Sequence, residues 1–153
     1  MLTSFTLSSS SAALPTNLRV CTERMGISPK VCNFSIPLGA TINMDGTSVF
    51  LAVIGLLLAR AYGVEVPGSM MLSLAVTIAL LSLGTPGVPG AALVGLGVVL
   101  RVLNVPVEAI GLIIAVEPLL GMFNTMSNTT GDVAAALIVA KSEKLVNEEV
   151  YCR

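Results

Sequence analysis

Pro37-Leu38-Gly39-Ala40-Thr41-Ile42-Asn43-Met44-Asp45-Gly46-Thr47 lies inside an apolar stretch, and its reading decides the fold. From Val31 to Ala59 the only charged side chain is Asp45. A spanning helix needs about 20 apolar residues, so the run is long enough to cross a bilayer. Its middle is nevertheless polar, from Asn43 to Thr47, before apolar residues resume from Ser48 to Ala61. A carboxylate at the bilayer centre costs about 2.5–3.5 kcal/mol and usually faces a partner or a cavity. The pattern predicts one span broken near its middle, because irregular backbone at membrane depth is tolerated only where protein or water covers it.

Downstream, nothing from Val66 to Leu100 is charged. After a short connector, Tyr62 to Pro67, the apolar run Met70 to Leu83 is only about two-thirds of a crossing at 1.5 Å per residue. It meets Gly84-Thr85-Pro86-Gly87-Val88-Pro89-Gly90, after which a second short run covers Ala91 to Val102. Two short helices joined by a Gly/Pro-rich tip describe a re-entrant hairpin better than two spans. The last block, Val105 to Ala140, reads as one long apolar helix that carries Glu117 and Asp132 and a polar centre from Asn124 to Asp132. Lys141, Glu143 and Lys144 end it, which favours a cytoplasmic C-terminus. Upstream, Ser8-Ser9-Ser10-Ser11-Ala12-Ala13-Leu14-Pro15 predicts a tight turn leading into an amphipathic helix over Leu14 to Met25, and Pro29 and Lys30 mark a loop.

Composition agrees with a bilayer. Hydrophobic residues make up 54% of the 153 residues and charged ones 11%, against about 25% charged in soluble domains; mean hydropathy is +0.91. A net charge of −1 offers no basic stripe for nucleic acid. No His is present, which removes imidazole metal sites and histidine general bases. Cys21, Cys32 and Cys152 are too few and too irregularly spaced for a disulfide framework or zinc knuckle. Met1 to Ser11 lacks the basic region and long apolar core of a signal peptide. An intramembrane aspartyl protease would need Gly at Thr129 and a Tyr-Asp pair, and neither is present. With no nucleophile motif or cofactor fingerprint, an enzyme is not expected.

Asp45 and Asp132 have no basic residue nearby in sequence. A hard cation such as Na⁺ is a natural partner, with Asn43, Thr47, Asn128 and freed backbone carbonyls as further oxygen ligands; a protonated or snorkelling aspartate with a structural role is the bland alternative. Half-helix N-termini attract anions, so the serine cluster facing the Gly/Pro tip would make a nest for a carboxylate. Alone, the serines read more readily as a flexible linker and the tip as an ordinary loop between two short spans; their joint occurrence with the break at Asn43–Thr47 favours the nest. Asn33-Phe34-Ser35 and Asn128-Thr129-Thr130 match the glycosylation sequon without other support.

These motifs together resemble the dicarboxylate/amino acid:cation symporters, which include the glutamate transporters. SSSSAALP (8–15) resembles that family's first re-entrant hairpin tip and PLGATINMDGT (37–47) its seventh span; SLGTPGVPGA (82–91) resembles its second hairpin tip and NTTGDVAAALIVAKSE (128–143) its eighth span. The resemblance implies an all-α membrane protein with discontinuous transmembrane helices and re-entrant helical hairpins. Residues 1–26 would be the first hairpin tip and second arm, 31–62 the broken span, 68–103 the second hairpin and 105–145 the last span. The family's scaffold domain is absent, so the chain is expected to be part of a larger transport protein.

By the same resemblance, Asn43, Asp45, Asn128 and Asp132 match sodium positions, joined by the backbone or side chains of Gly39, Thr41 and Met44, with the hairpin carbonyls of Ser82 and Thr85 at a second sodium site. Substrate contacts would come from Ser9, Ser10, Gly87, Val88 and Asn128, with Thr47 close by; Gly121, Asn124 and Thr125 belong to the same region of the eighth span. Two departures bear on the solute. Acidic amino-acid carriers place an arginine where this chain has Asn124, or alternatively at Ser8, and amino-acid carriers place an ammonium-binding aspartate where it has Gly121, with Glu117 one turn away. The expected function is therefore sodium-coupled symport of a small carboxylate solute, a neutral amino acid or another small carboxylate rather than glutamate. Coupling by protons and a truncated, non-transporting binding module are the alternatives. Sodium as coupling ion, no cofactor, no nucleic acid, a homotrimer of the full-length protein, an elevator movement and a multi-pass plasma-membrane location complete what the resemblance implies.

Overall fold

A computed structural model describes residues 1–152, and within them regular structure is helical apart from one isolated antiparallel bridge between Ile27 and Val146. Helix α1 (Leu2–Leu7) ends at Ser8, whose φ of 49° is left-handed, and Ser9 in extended geometry starts α2 (Ser10–Glu23). The Ser9 hydroxyl accepts the Ala12 amide at 3.2 Å, so the helix begins four residues before Leu14. The tight turn expected in the serine run is this α1–α2 junction. Helix α3 (Pro29–Ile42) opens with Pro at its first position and ends at Asn43, and α4 (Asp45–Ala61) follows.

The break in the span is thus confined to Asn43 and Met44, with ψ of 85° and 53°, and Asp45, Gly46 and Thr47 already belong to the first turn of α4. Taken together, Pro29–Ala61 is long and apolar enough to cross a membrane. Helices α5 (Gly68–Gly84) and α6 (Ala91–Val102) have 17 and 12 residues. At 1.5 Å per residue they reach about 26 and 18 Å, both short of a bilayer core of about 30 Å. They pack on each other and on α4, with the tip at Thr85–Gly90 between them, as a re-entrant hairpin requires.

The last block departs from expectation. Instead of one helix over Val105 to Ala140, a 3₁₀ turn (Val107–Ile110) and α7 (Gly111–Ile114) meet α8 (Glu117–Ser142) at an 87° bend. Pro118 explains the corner. It has no N–H for the Ile114 carbonyl, and its ring opposes the helical approach of the preceding turn. Beyond α8, the Ser28 amide donates to the Leu145 carbonyl at 2.9 Å and the Asn147 amide to Gly26 at 2.8 Å. These bonds fold α9 (Glu148–Tyr151) back over the α2–α3 loop.

Two apolar clusters flank the polar middle. One joins α4, α5, α6 and the turn before α7 around Leu51, Leu96, Val99, Leu100 and Leu103. The other joins α2, α3 and α8 around Cys21, Cys32, Ile36, Ala136 and Ala140. Helix α8 packs on α1, α2, α3 and α4, which brings its polar centre against the break between α3 and α4.

Candidate functional site

A helix end leaves its last carbonyls and first amides without intrahelical partners, so the Asn43–Met44 break creates polar backbone within an apolar body. Asn128 of α8 meets it on both sides. Its side-chain oxygen accepts the Gly46 amide at 2.7 Å, and its backbone carbonyl accepts the Asn43 side-chain amide at 3.2 Å. The Asn128 amide in turn donates to the Met44 sulfur at 3.2 Å, and the Thr47 hydroxyl lies 3.9 Å from the same sulfur. Four of the expected residues, Asn43, Met44, Thr47 and Asn128, are therefore joined in one network.

Asp132 sits one turn beyond Asn128 and is 1% exposed. Its Oδ1 accepts from Asn43 at 3.1 Å, whereas its Oδ2 is buried with no hydrogen-bond donor. A buried carboxylate oxygen without a donor fits a cation ligand, since pairing with charge is what makes such burial tolerable. The surroundings fit the same role. Gly39 lies so close that a Cβ there would run into the Asp132 carboxylate, and a Cβ on Gly131 would collide with both the Asn43 amide and the Asp45 carboxylate. Asp45 shares this neighbourhood from the open side, for it is exposed in the chain as it stands. The donor set of carboxylate, amide and main-chain oxygens suits a hard cation better than a soft metal.

At three of the expected ion-site residues the hydroxyl is engaged by its own helix. The Thr41 hydroxyl donates to the Pro37 carbonyl at 2.7 Å, that of Ser82 to Ala79 at 2.9 Å and that of Thr85 to Leu81 at 2.7 Å. Their side chains are thus turned onto their own helices. Ser82 and Thr85 remain buried at the C-terminal end of α5, where main-chain carbonyls rather than hydroxyls are on offer.

The expected solute residues converge more fully. Ser10, Thr47, Gly87, Val88, Gly121, Asn124, Thr125 and Asn128 all line one cavity of about 30 Å³, together with Ser8, Met44, Thr85 and Glu117. Ser9 stands just behind it, and its hydroxyl donates to the Gly87 carbonyl at 2.8 Å. The Ser11 amide donates to the same carbonyl at 3.2 Å. The two hairpin tips are thereby latched together, and the cavity has room for about one water rather than a solute. Neither Lys nor Arg lines it, and Asn124 and Ser8 bring no positive charge. Met44 and Asn128 belong to both the polar cluster at the helix break and the cavity wall. Sequence reasoning placed Met44 with the ion site alone.

Residues 1–142 match the sodium:dicarboxylate symporter family. The chain belongs to that family, whose members are transporters. It is 38% identical over 150 residues to excitatory amino acid transporter 3 of Mus musculus, covering 98% of this chain and 29% of that protein. It is 37% identical to excitatory amino acid transporter 2 of Homo sapiens over 145 residues, 93% of this chain and 25% of the relative. A Caenorhabditis elegans excitatory amino acid transporter is 38% identical over 138 residues, 90% and 27% of the two chains. The chain therefore spans under a third of the length of these relatives.

Proposed function

We propose that this chain forms the cation- and solute-binding part of a sodium-coupled symporter for small carboxylates in the plasma membrane. Asn128 carries the proposal, because a single side chain fastens the helix break, neighbours the unpaired Asp132 oxygen and lines the cavity. Na⁺ at Asp132 would fix α8 against the α3–α4 break and so shape the wall that the solute meets. One charge crossing 100 mV supplies about 2.3 kcal/mol. Each tenfold gradient adds roughly 1.4 kcal/mol, so a few ions suffice for strong accumulation.

The solute carboxylate is assigned to the tips, where the amides around Ser10 and Gly87–Val88 meet the positive end of α2. The names of the relatives speak for excitatory amino acids. Here, however, a second carboxylate on the solute would find no Lys or Arg in the cavity and one negative neighbour, Glu117. A neutral amino acid is favoured over glutamate on that ground. The full-length protein is read as a homotrimer in which both hairpins, α3–α4 and α8 move as one body, in elevator fashion, relative to a scaffold.

The test is the melting temperature of the detergent-solubilised chain as Na⁺ replaces choline at constant ionic strength. A saturable rise supports a formed sodium site, since a ligand of the folded state stabilises it by mass action. A cooperative melt indifferent to Na⁺ would refute the sodium reading. Saturable glutamate uptake by the full-length protein would refute the preference for a neutral solute.

A further inference from the structure

Cys21 and Cys32 are free thiols with 0% exposure, and neither the cation cluster nor the solute cavity uses them. They lie on α2 and α3, which pack on each other and are joined by the short connection 24–28. Cys21 precedes that connection by nearly as many residues as Cys32 follows it, so the two stand at about one level of the helix pair. Ile27 ties them together. Its amide donates to the Cys21 carbonyl at 3.0 Å, and its carbonyl accepts from the Cys32 thiol at 3.8 Å. The two thiols are themselves hydrogen-bond neighbours, in an apolar cluster closed by Ala136 and Ala140 of α8. A cavity of about 430 Å³ comes up to this cluster, with Thr22, Ile27 and Asn147 among its walls. Thr22 follows Cys21 in the chain and Ile27 bonds to both cysteines, so one layer of residues parts the cavity from the sulfurs. Lys141 and Lys144 favour a cytoplasmic face for this end of the molecule. There a dithiol rests in the reduced state, and disulfides are transient and redox-sensing.

We propose that Cys21 and Cys32 form an oxidation site, a dithiol that hydrogen peroxide converts reversibly into a disulfide stapling α2 to α3. The proposal goes beyond the symport reading and does not depend on it. One sulfur takes an oxygen of the peroxide as the O–O bond breaks, which yields a sulfenic acid and one water. The second sulfur then displaces the hydroxyl as another water, and the S–S bond forms. Both sulfurs are oxidised, both peroxide oxygens are reduced, and the two thiol protons leave in the two waters. Burial excludes bulky and charged oxidants, whereas hydrogen peroxide is small and uncharged. Helix α2 carries Ser10 of the first hairpin tip, and α3 ends at the break beside Asp132. The staple therefore clamps the arm of that tip to the helix that leads to the cation cluster.

The test treats the detergent-solubilised Cys152→Ser chain with hydrogen peroxide, blocks the remaining thiols with N-ethylmaleimide and maps the peptides without reduction. Trypsin cuts after Arg19, Arg24 and Lys30 and so separates the two cysteines; the disulfide is read as residues 20–24 joined to residues 31–60. This linked pair is expected as the main oxidised product and is reversed by dithiothreitol. The melting temperature should rise by about 5 °C or more, the scale for closing a loop of this size in a chain of this length. Exchange of the Ile27 amide, which donates to Cys21, should slow at least about fivefold. Cys21→Ser and Cys32→Ser should each lose the link and the rise together. Thiols that stay free at peroxide concentrations that oxidise the methionines overturn the proposal, as do sulfinic products without the link. A link that lowers the melting temperature also overturns it, because the native positions would then not admit the bond. Should either serine variant not fold, the peptide map and the melt of the Cys152→Ser chain decide the matter alone. A chain indifferent to Na⁺ overturns the symport reading and leaves this test in force.

Discussion

The side-chain oxygen of Asn128 accepts the Gly46 amide at 2.7 Å, tying the middle of α8 to the first turn of α4 beside the break that separates α3 from α4. Gly46 follows a two-residue break and has no helical carbonyl behind it, so this bond stands where the helix ladder would otherwise continue. The same asparagine faces the cavity and holds Asn43, which in turn holds Asp132. The proposed cation and solute sites therefore share Asn128, as they share Met44.

Replacing it, Asn128→Ala, strands the buried Gly46 amide. The expected loss of stability is about 1–3 kcal/mol, the range for an unsatisfied buried donor. Chemical denaturation in detergent measures it. The Na⁺-dependent rise in melting temperature should vanish with the same substitution, and a variant that keeps the full rise would separate Asn128 from the ion site.

Asp132→Asn distinguishes a cation ligand from a structural carboxylate. Asp132 is 1% exposed, and its Oδ2 has no donor. Removing the charge should leave the melt in choline at or above that of the unaltered chain, because a buried charge without a partner is unfavourable. The response to Na⁺ should be abolished. If Asp132 were only structural, the variant would melt lower in both salts.

Gly39→Ala tests the same site by volume alone. The added Cβ would run into the Asp132 carboxylate without altering any polar group. Overpacking of this kind costs typically about 1–3 kcal/mol, and displacing the ligand should raise the Na⁺ concentration needed for half-maximal stabilisation at least about tenfold. A sodium titration of the melting temperature reads both effects.

Much of this arrangement was legible from polar residues placed inside apolar runs. Asn43 to Thr47 marked the broken span, and Gly84 to Gly90 marked the hairpin tip, because both conflict with continuous helix in lipid. The bend at Ala115–Val116 was not read, since Val105 to Val116 has the apolar character of a span and the only local signal is Pro118. Hydroxyl directions were also beyond reach. Thr41, Ser82 and Thr85 bond to their own helices, a choice that composition does not reveal. The pairing of Ser9 with Gly87 and of Asn147 with Gly26 joins residues far apart in sequence, where periodicity carries no information.

The latch between the hairpin tips gives the last prediction. Ser9 both caps α2 through the Ala12 amide and donates to the Gly87 carbonyl. Ser9→Ala removes both bonds, and loss of an N-cap alone costs about 1 kcal/mol. The Ser11 amide, which donates to the same Gly87 carbonyl, is the reporter of the closed latch. Its hydrogen exchange should quicken by roughly fivefold or more in Ser9→Ala, as expected for about 1 kcal/mol taken from a local closed state. Amides deep in α4, such as that of Leu51 in the fully buried core, should exchange as before. Equal acceleration of both would mean that Ser9 supports the whole fold rather than the contact between the tips, and unchanged exchange at Ser11 would mean that the contact does not depend on it.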